Sequence, residues 1–157
     1  MMKKSRLKIE KVTKNNFNDF LEQINKLADY EKKNPPDVIA QKRLMNNYLS
    51  EHPTYCAYLG KIDNKYIGYI FYYFTYSSYK ALPILHIEDL FIQKEYRKEG
   101  LGQKLFDFCI GRGIKKGCIN IEWTTYNWNE PAIKFYEKNK ATRLDKSYYQ
   151  LNIENIK

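Results

Sequence analysis

Residues Ile87 to Phe106, IEDLFIQKEYRKEGLGQKLF, constrain the fold more than any other stretch of this chain. Ile87, Leu90, Phe91 and Ile92 have the apolar and β-branched density of a buried strand. A charged turn, Gln93 to Glu99, leads into Gly100-Leu101-Gly102. From there Leu101, Leu105, Phe108 and Cys109 follow the i, i+4, i+7, i+8 spacing of a helix buried on one face. A strand feeding a basic, glycine-bearing turn and then a helix makes an anion site. First-turn N–H groups and the positive end of the helix dipole both face the loop. Glycine lets the backbone approach a phosphate closely, and Arg97 and Lys98 add positive charge. The spacing R-x-x-G-x-G alone leaves two readings open, a pyrophosphate-binding loop and a plain strand–helix turn.

The rest of the chain supplies elements to pack around this unit. Alternation at Leu7, Ile9 and Val12 predicts an opening strand over Ser5–Val12. Thr13 can cap a helix with Phe17, Phe20, Leu21, Ile24, Leu27 and Ala28 on one face, ending near Tyr30-Glu31 before Pro35-Pro36. Asp37 is placed to cap a second helix carrying Val38, Met45, Tyr48 and Leu49, which Pro53 closes. Thr54–Leu59 reads as a strand, Asp63-Asn64 as a turn, and Lys65–Tyr76 as a long strand too rich in Tyr, Ile and Phe for a helix. After a polar turn at Ser77–Lys80, Pro83 opens the strand that contains Ile87. The central helix stops at Gly117. Then come a buried strand over Cys118–Thr124, a loop at Tyr126–Asn129, a helix over Glu130–Lys138 with Pro131 in its first turn, and a final strand over Ser147–Ile153. The order β-α-α-β-β-β-α-β-α-β predicts one mixed α/β domain over residues 1–157.

Several functions are excluded by what is missing. Leu105 stands where the third glycine of GxGxxG would be, and there is no GxxxxGK[ST]. No His- or Cys-rich set marks a metal site, and nothing pairs with His52 or His86 at a useful spacing. Cys56, Cys109 and Cys118 lack CxxC spacing and sit in apolar settings, as expected of small hydrophobes in a reducing compartment. The basic amino terminus is followed by no apolar h-region, and no stretch approaches a membrane span, so a cytoplasmic protein with no membrane partner is expected. A net charge of +9 from scattered Lys fits a solvated surface or an anionic partner. A basic nucleic-acid-binding module built on Gly111-Arg112-Gly113 and Lys115-Lys116 is the alternative in another class. It lacks a recognisable motif, and bases at a helix end suit the dipole in any case.

Taken with Asn129-Glu130-Pro131-Ala132-Ile133-Lys134-Phe135-Tyr136, an N-x-x-A-x-x-x-Y segment, the loop resembles the acetyl-CoA site of the GCN5-related N-acetyltransferase (GNAT) superfamily. The diamine acetyltransferase branch, spermidine/spermine and thialysine N-acetyltransferases, is more similar still. That likeness rests on Leu27-Ala28-Asp29-Tyr30-Glu31, Tyr72-Tyr73-Phe74-Thr75-Tyr76, Ile87-Glu88-Asp89, Tyr96-Arg97 and Trp128-Asn129-Glu130-Pro131. Two departures stand out: Lys140 precedes Ala141 where the branch has Gly, and Ser77 stands where its polyamine enzymes carry an acid. The Ser looks more like the thialysine-type enzymes.

The resemblance implies a single-domain GNAT-like acyl-CoA N-acyltransferase fold, with a mixed, mostly antiparallel twisted sheet flanked by helices. It implies acetyl transfer from acetyl-CoA, without metal, to a primary amine of a small polyamine, diamine or lysine/thialysine-like molecule, by an enzyme that forms homodimers. A fold that only binds acetyl-CoA without catalysis is the remaining alternative, and retention of Glu88 and Tyr136 argues against it. Backbone groups of Leu90, Phe91 and Ile92 would hold the pantetheine arm. Arg97, Lys98, Glu99, Gly100, Leu101, Gly102 and Gln103 would hold the pyrophosphate, and Asn129, Glu130, Pro131 and Ala132 the region near the thiol. Tyr136 would protonate the departing thiolate and Glu88 would accept the amine proton. Tyr30, Glu31, Asp89, Glu122, Trp123 and Thr124 would face the acceptor, with Trp123 and Trp128 also readable as packing residues.

Overall fold

The computed structural model describes residues 7–156. By contact density the chain forms two compact units, residues 1–123 and 124–157. The first holds one five-stranded sheet: β1 (Lys8–Lys11), β2 (Cys56–Ile62), β3 (Lys65–Ser77), β4 (Leu82–Ile92) and β5 (Asn120–Glu122). The strands run in chain order, with β1 to β4 antiparallel and β5 parallel to β4. A mixed, mostly antiparallel sheet is therefore borne out. The opening strand is shorter than expected, and Ser5 and Arg6 lie outside the described residues. Val12, just past β1, is buried and its N–H still donates to the Ala57 carbonyl.

Helices α1 (Phe17–Glu31) and α2 (Val38–Tyr48) cover one face. Phe17 and Phe20 of α1 join Tyr48 of α2, Tyr55, Ala57 and Leu59 from the β2 side, Tyr69 of β3 and Phe91 of β4 in one buried cluster. Hydroxyls fix this packing: Tyr48 donates to the carbonyl of Val12 (2.9 Å), and Tyr55 to that of Leu44 (2.8 Å). Burial raises both phenols well above their ordinary range, so they remain neutral donors. Asp37 caps α2 through the Ala40 N–H, as the sequence predicts. Helix α3 (Leu101–Lys116) covers the other face, with Leu105 and Gly113 buried and Phe108 against Tyr58 of β2. The Asp63-Asn64 turn joins β2 to β3 with both residues left-handed (φ 44° and 66°), the geometry of a two-residue hairpin.

The second unit contains α4 (Glu130–Lys138), with Pro131 in its first turn as expected. The expected final strand over Ser147–Ile153 is not formed. Residues 141–152 take no regular structure, a 3-10 turn follows at Ile153–Asn155, and Tyr148, Tyr149 and Leu151 lie exposed. Alternation is a property of the segment, whereas a strand also needs a neighbouring edge; among the described residues none pairs with this one.

Candidate active site

A register break in the β3–β4 ladder builds the site. Phe71 pairs with Asp89 and Tyr72 with Ile87, which leaves Glu88 as the extra residue of a β-bulge. In a regular strand consecutive side chains would point to opposite faces. The bulge instead turns both Glu88 and Asp89 to the face covered by α1 and α2. There they line a cleft of about 530 Å³ with Ile24, Pro36, Leu44, Thr54, Tyr55, Phe71 and Tyr73. Tyr55 and Phe71 lie parallel, 4.2 Å apart, and supply one flat apolar wall. The result is an apolar channel with two adjacent carboxylates, suited to an alkyl chain carrying an ammonium group.

The two acids are not equivalent. Glu88 is exposed, whereas Asp89 is half-buried and accepts a hydrogen bond from the fully buried Tyr69 hydroxyl (2.9 Å). Burial raises Asp89 to about 6, against the pull of the Tyr69 hydrogen bond, and the charges of Glu88 and Glu31 push it further the same way. Tyr69 is itself raised, first by burial and then by Asp89. Two residues behind Glu88 on the same strand face, His86 places Nε2 4.0 Å from Glu88 Oε2 and packs its ring against Tyr73 at 4.8 Å. In the sequence nothing pairs with His86 at a useful motif spacing, so no role is expected of it. The usable signal is the i, i+2 relation along a strand.

Beyond His86 the sheet opens. Strand β5 pairs with Ile84, Leu85 and His86 and ends at Glu122, so the outer edge of β4 from Ile87 to Ile92 has no strand partner among the described residues. Backbone groups alternate along a strand: Gln93 and Phe91 face β3, while Leu90 and Ile92 face the open edge and are placed for a ligand that adds like a strand, the Ile92 carbonyl being held by Arg97. The chain then enters the loop through a 3-10 turn at Lys94–Tyr96. Gly100 is left-handed (φ 76°) with open space where a Cβ would stand, and α3 begins at Leu101 with no side-chain cap and no acid in its first turn. These features fit a ligand with both an amide-containing arm and a pyrophosphate. Arg97 turns back onto the strand: its Nε donates to the Ile92 carbonyl (2.7 Å), and the guanidinium lies over the rings of Tyr30 (4.6 Å) and Phe91 (5.7 Å). Lys98 is left-handed (φ 67°) and exposed beside Glu99 and Gly100, while Gln103 in the first turn of α3 donates to Asp107 (2.8 Å). Buried Gln93 and Gln23, bonded to each other (2.9 Å), tie the loop's start to α1.

Of the expected acceptor-side residues, the cleft brings together Glu88 and Asp89. Tyr30 is engaged with Arg97, and Glu31 pairs with Lys33 at 3.4 Å. Glu122 lies directly beside His86 in the parallel β4–β5 register. Trp123 meets Phe106 of α3 edge-on at 5.5 Å, a packing role. The apolar lining from Thr54, Tyr55, Phe71 and Tyr73 went unforeseen, since only the fold gathers it. In the second unit, Thr124, Glu130 and Pro131 are exposed, and Asn129 caps α4 by accepting from the Ala132 N–H (3.4 Å). Tyr136 follows seven residues later, and burial pushes its hydroxyl up to about 12.

Within the basic stretch behind the nucleic-acid alternative, Lys115 and Lys116 are exposed while Arg112 and Gly113 are engaged in the fold. Arg112 donates to the Tyr72 hydroxyl (3.2 Å), and Gly113 is buried against Ile121 and Leu85. Burial raises Cys109 to about 12, which makes it inert, and all three cysteines are free. Among the described residues no His, Cys, Asp or Glu cluster could hold a metal ion, and no helix is long and apolar enough to cross a membrane.

Comparison with known proteins agrees with this geometry. Residues 18–140 match the Acetyltransferase (GNAT) family. The chain is 29% identical over 127 residues to a thialysine N-epsilon-acetyltransferase of Bos taurus, covering 76% of this chain and 74% of the relative. It is 27% identical over 136 residues to the Caenorhabditis elegans protein of the same name, covering 87% and 83%. An integron cassette protein from the mobile metagenome of V. cholerae has the same fold, with a TM-score of 0.80 at 22% identity over 96% of this chain and 94% of that one. The chain belongs to the GNAT acetyltransferase family and is an acetyl-CoA-dependent N-acetyltransferase.

Proposed function

We propose that the enzyme acetylates a primary amine on a small diamine, polyamine or lysine/thialysine-like acceptor. The observation that carries this reading is the cleft in which Glu88 and Asp89 stand together among apolar side chains. Carboxylates attract an ammonium, and Ile24, Leu44, Tyr55 and Phe71 accommodate methylenes behind it. The names of the relatives in cattle and C. elegans support an acceptor of this size.

The cosubstrate supplies an acetyl group activated as a thioester. The edge of Leu90, Phe91 and Ile92 holds its arm, and the loop from Arg97 to Gln103 holds its pyrophosphate, with Lys98 as the exposed cation. Asn129, Glu130, Pro131 and Ala132 flank the thiol end. Asp89 anchors the acceptor while Glu88 removes the proton that an alkylammonium must lose before it can attack. Tyr136, kept protonated across the neutral range by burial, gives its proton to the departing sulfur. Amine and thioester held together need no covalent enzyme intermediate. Residues 1–157 act as one catalytic domain in the cytoplasm, and the exposed Tyr148, Tyr149 and Leu151 support assembly as a homodimer.

One screen tests the assignment. Putrescine, spermidine, spermine, lysine, thialysine and short peptides are offered with acetyl-CoA, and thiol release is followed alongside the acetylated product. Small amines should be acetylated and Tyr136→Phe should lose on the order of 100-fold in turnover with acetyl-CoA affinity kept. Acetylation of peptides alone would overturn the acceptor assignment.

A further inference from the structure

Glu88 has a neighbour that its proposed role does not use. His86 lies two residues before it on β4, with Nε2 4.0 Å from Glu88 Oε2. The imidazole plane is held by Tyr73 at 4.8 Å across the ladder, where His86 and Tyr73 are register partners. On the other side β5 sets Glu122 opposite His86 in the parallel register. The charges around it are Glu88 and Asp89 on β4, Glu122 on β5, and Glu31 with Lys33 at the end of α1, both of which act on Asp89; Tyr73 is its neighbour on β3. The His86 side chain is 24% exposed and Glu88 is 52% exposed, so water reaches both and Glu88 is able to swing. A small side-chain rotation of Glu88 closes 4.0 Å to hydrogen-bond length.

We infer that His86 is a proton-relay residue that acts through Glu88, taking from it the proton that the attacking amine has given up. The inference rests on the reading of Glu88 as the acceptor's base. In the relay, Glu88 takes one proton from the ammonium and is left as a carboxylic acid. The acid's O–H bond then breaks as the lone pair of His86 Nε2 takes that proton, and the imidazolium loses a proton to water. No net proton stays on the protein, and Glu88 is again a carboxylate for the next turnover. His86 is the residue that β4 places beside the acid to do this.

Two measurements on the full-length protein test the relay, one of which needs no turnover. The chain has only two histidines. The exposed His52 thus serves as an internal reference in a proton NMR titration of the imidazoles. In Glu88→Gln the loss of the neighbouring negative charge should lower the His86 midpoint while His52 stays in place. The second measurement is the pH dependence of kcat in His86→Gln with acetyl-CoA and the best small amine. The plateau should fall about 5–20-fold, and the acid limb should move to lower pH. The amine KM should stay within about twofold. A purely structural effect would lower the plateau without moving the limb. Overturning results are an unmoved limb, an unchanged plateau, or a His86 midpoint indifferent to Glu88→Gln. If the wild-type protein acetylates no amine at all, the proposed function fails and takes the relay with it; an active enzyme with an unmoved limb removes the relay alone.

Discussion

Asp89 shows at the scale of one residue how the site works against the fold. A carboxyl held at about 6 in the folded state, against 3.8 in the unfolded chain, favours folding when protonated. That contribution is fully present below the unfolded value and is lost as the pH rises through the folded one. At neutral pH the folded protein therefore carries a carboxylate it would be more stable without, at a cost on the order of 2 kcal/mol. Asp89→Asn keeps an oxygen to accept from Tyr69 but never ionises. Urea titrations should find the variant more stable than wild type by roughly 1–2 kcal/mol at pH 7.5, with the difference shrinking toward zero by pH 4. A variant less stable than wild type at pH 7.5 would mean that the ionised Asp89–Tyr69 pair holds the fold together.

At the scale of elements, the β3–β4 pair carries the site, and Gly68 sets how closely the two strands run. A methyl at Gly68 would fall onto the carbonyl oxygen of Phe91 and within 3.1 Å of the Cα of Ile92. Both are backbone atoms of the strand end proposed to hold the cosubstrate's arm, so no side-chain rotation can relieve the clash. Gly68→Ala should cost roughly 3 kcal/mol or more in urea and weaken acetyl-CoA binding in calorimetry. A well-folded variant with normal affinity would show that β4 can shift without consequence. The opposite sign is expected at two helix ends, where Lys32 (φ 56°) closes α1 and Lys140 (φ 60°) follows α4, both left-handed with a Cβ. Lys140→Gly and Lys32→Gly should each raise the unfolding free energy read from urea titration by about 0.5–1 kcal/mol, and a drop would mean that the lysine stems pack. These elements also mark how far the chain could be read without coordinates. The Glu130–Lys138 helix was legible with Pro131 in its first turn because that preference is local chemistry, whereas the Asn129 cap appears only in the structure. Lys140 was legible as a departure, though its left-handed turn was not. The bulge that turns Glu88 and Asp89 to one face depends on pairing between strands, which periodicity along one strand does not record. His86 and the Tyr55–Phe71 wall escaped for the same reason, and Ser147–Ile153 was over-read because alternation lacks its partner edge.

At the scale of the whole molecule, a charge of +9 and a cosubstrate bearing phosphates raise the question of whether binding is specific or merely ionic. The two cases differ in what they do to stability. Most lysines are exposed in the folded protein and stay exposed on unfolding, so a diffuse polyanion meets nearly the same charges in either state and shifts the equilibrium little. The loop at Gly100 and the open edge of Ile87–Ile92 exist only in the folded chain, so a ligand they hold stabilises that state alone. At about 100 times its dissociation constant such a ligand adds about 2.7 kcal/mol, which in a chain of this length raises Tm by roughly 5–10 °C. Thermal unfolding with acetyl-CoA, and with polyphosphate at matched ionic strength, separates the cases. Acetyl-CoA should give that shift and keep most of it in 0.2 M salt, because in the proposed binding mode the pantetheine arm would meet uncharged backbone groups. Polyphosphate should give little, and less in salt. Equal shifts from both, abolished together by salt, would mean that the phosphates alone are recognised and that the open edge of β4 holds no arm.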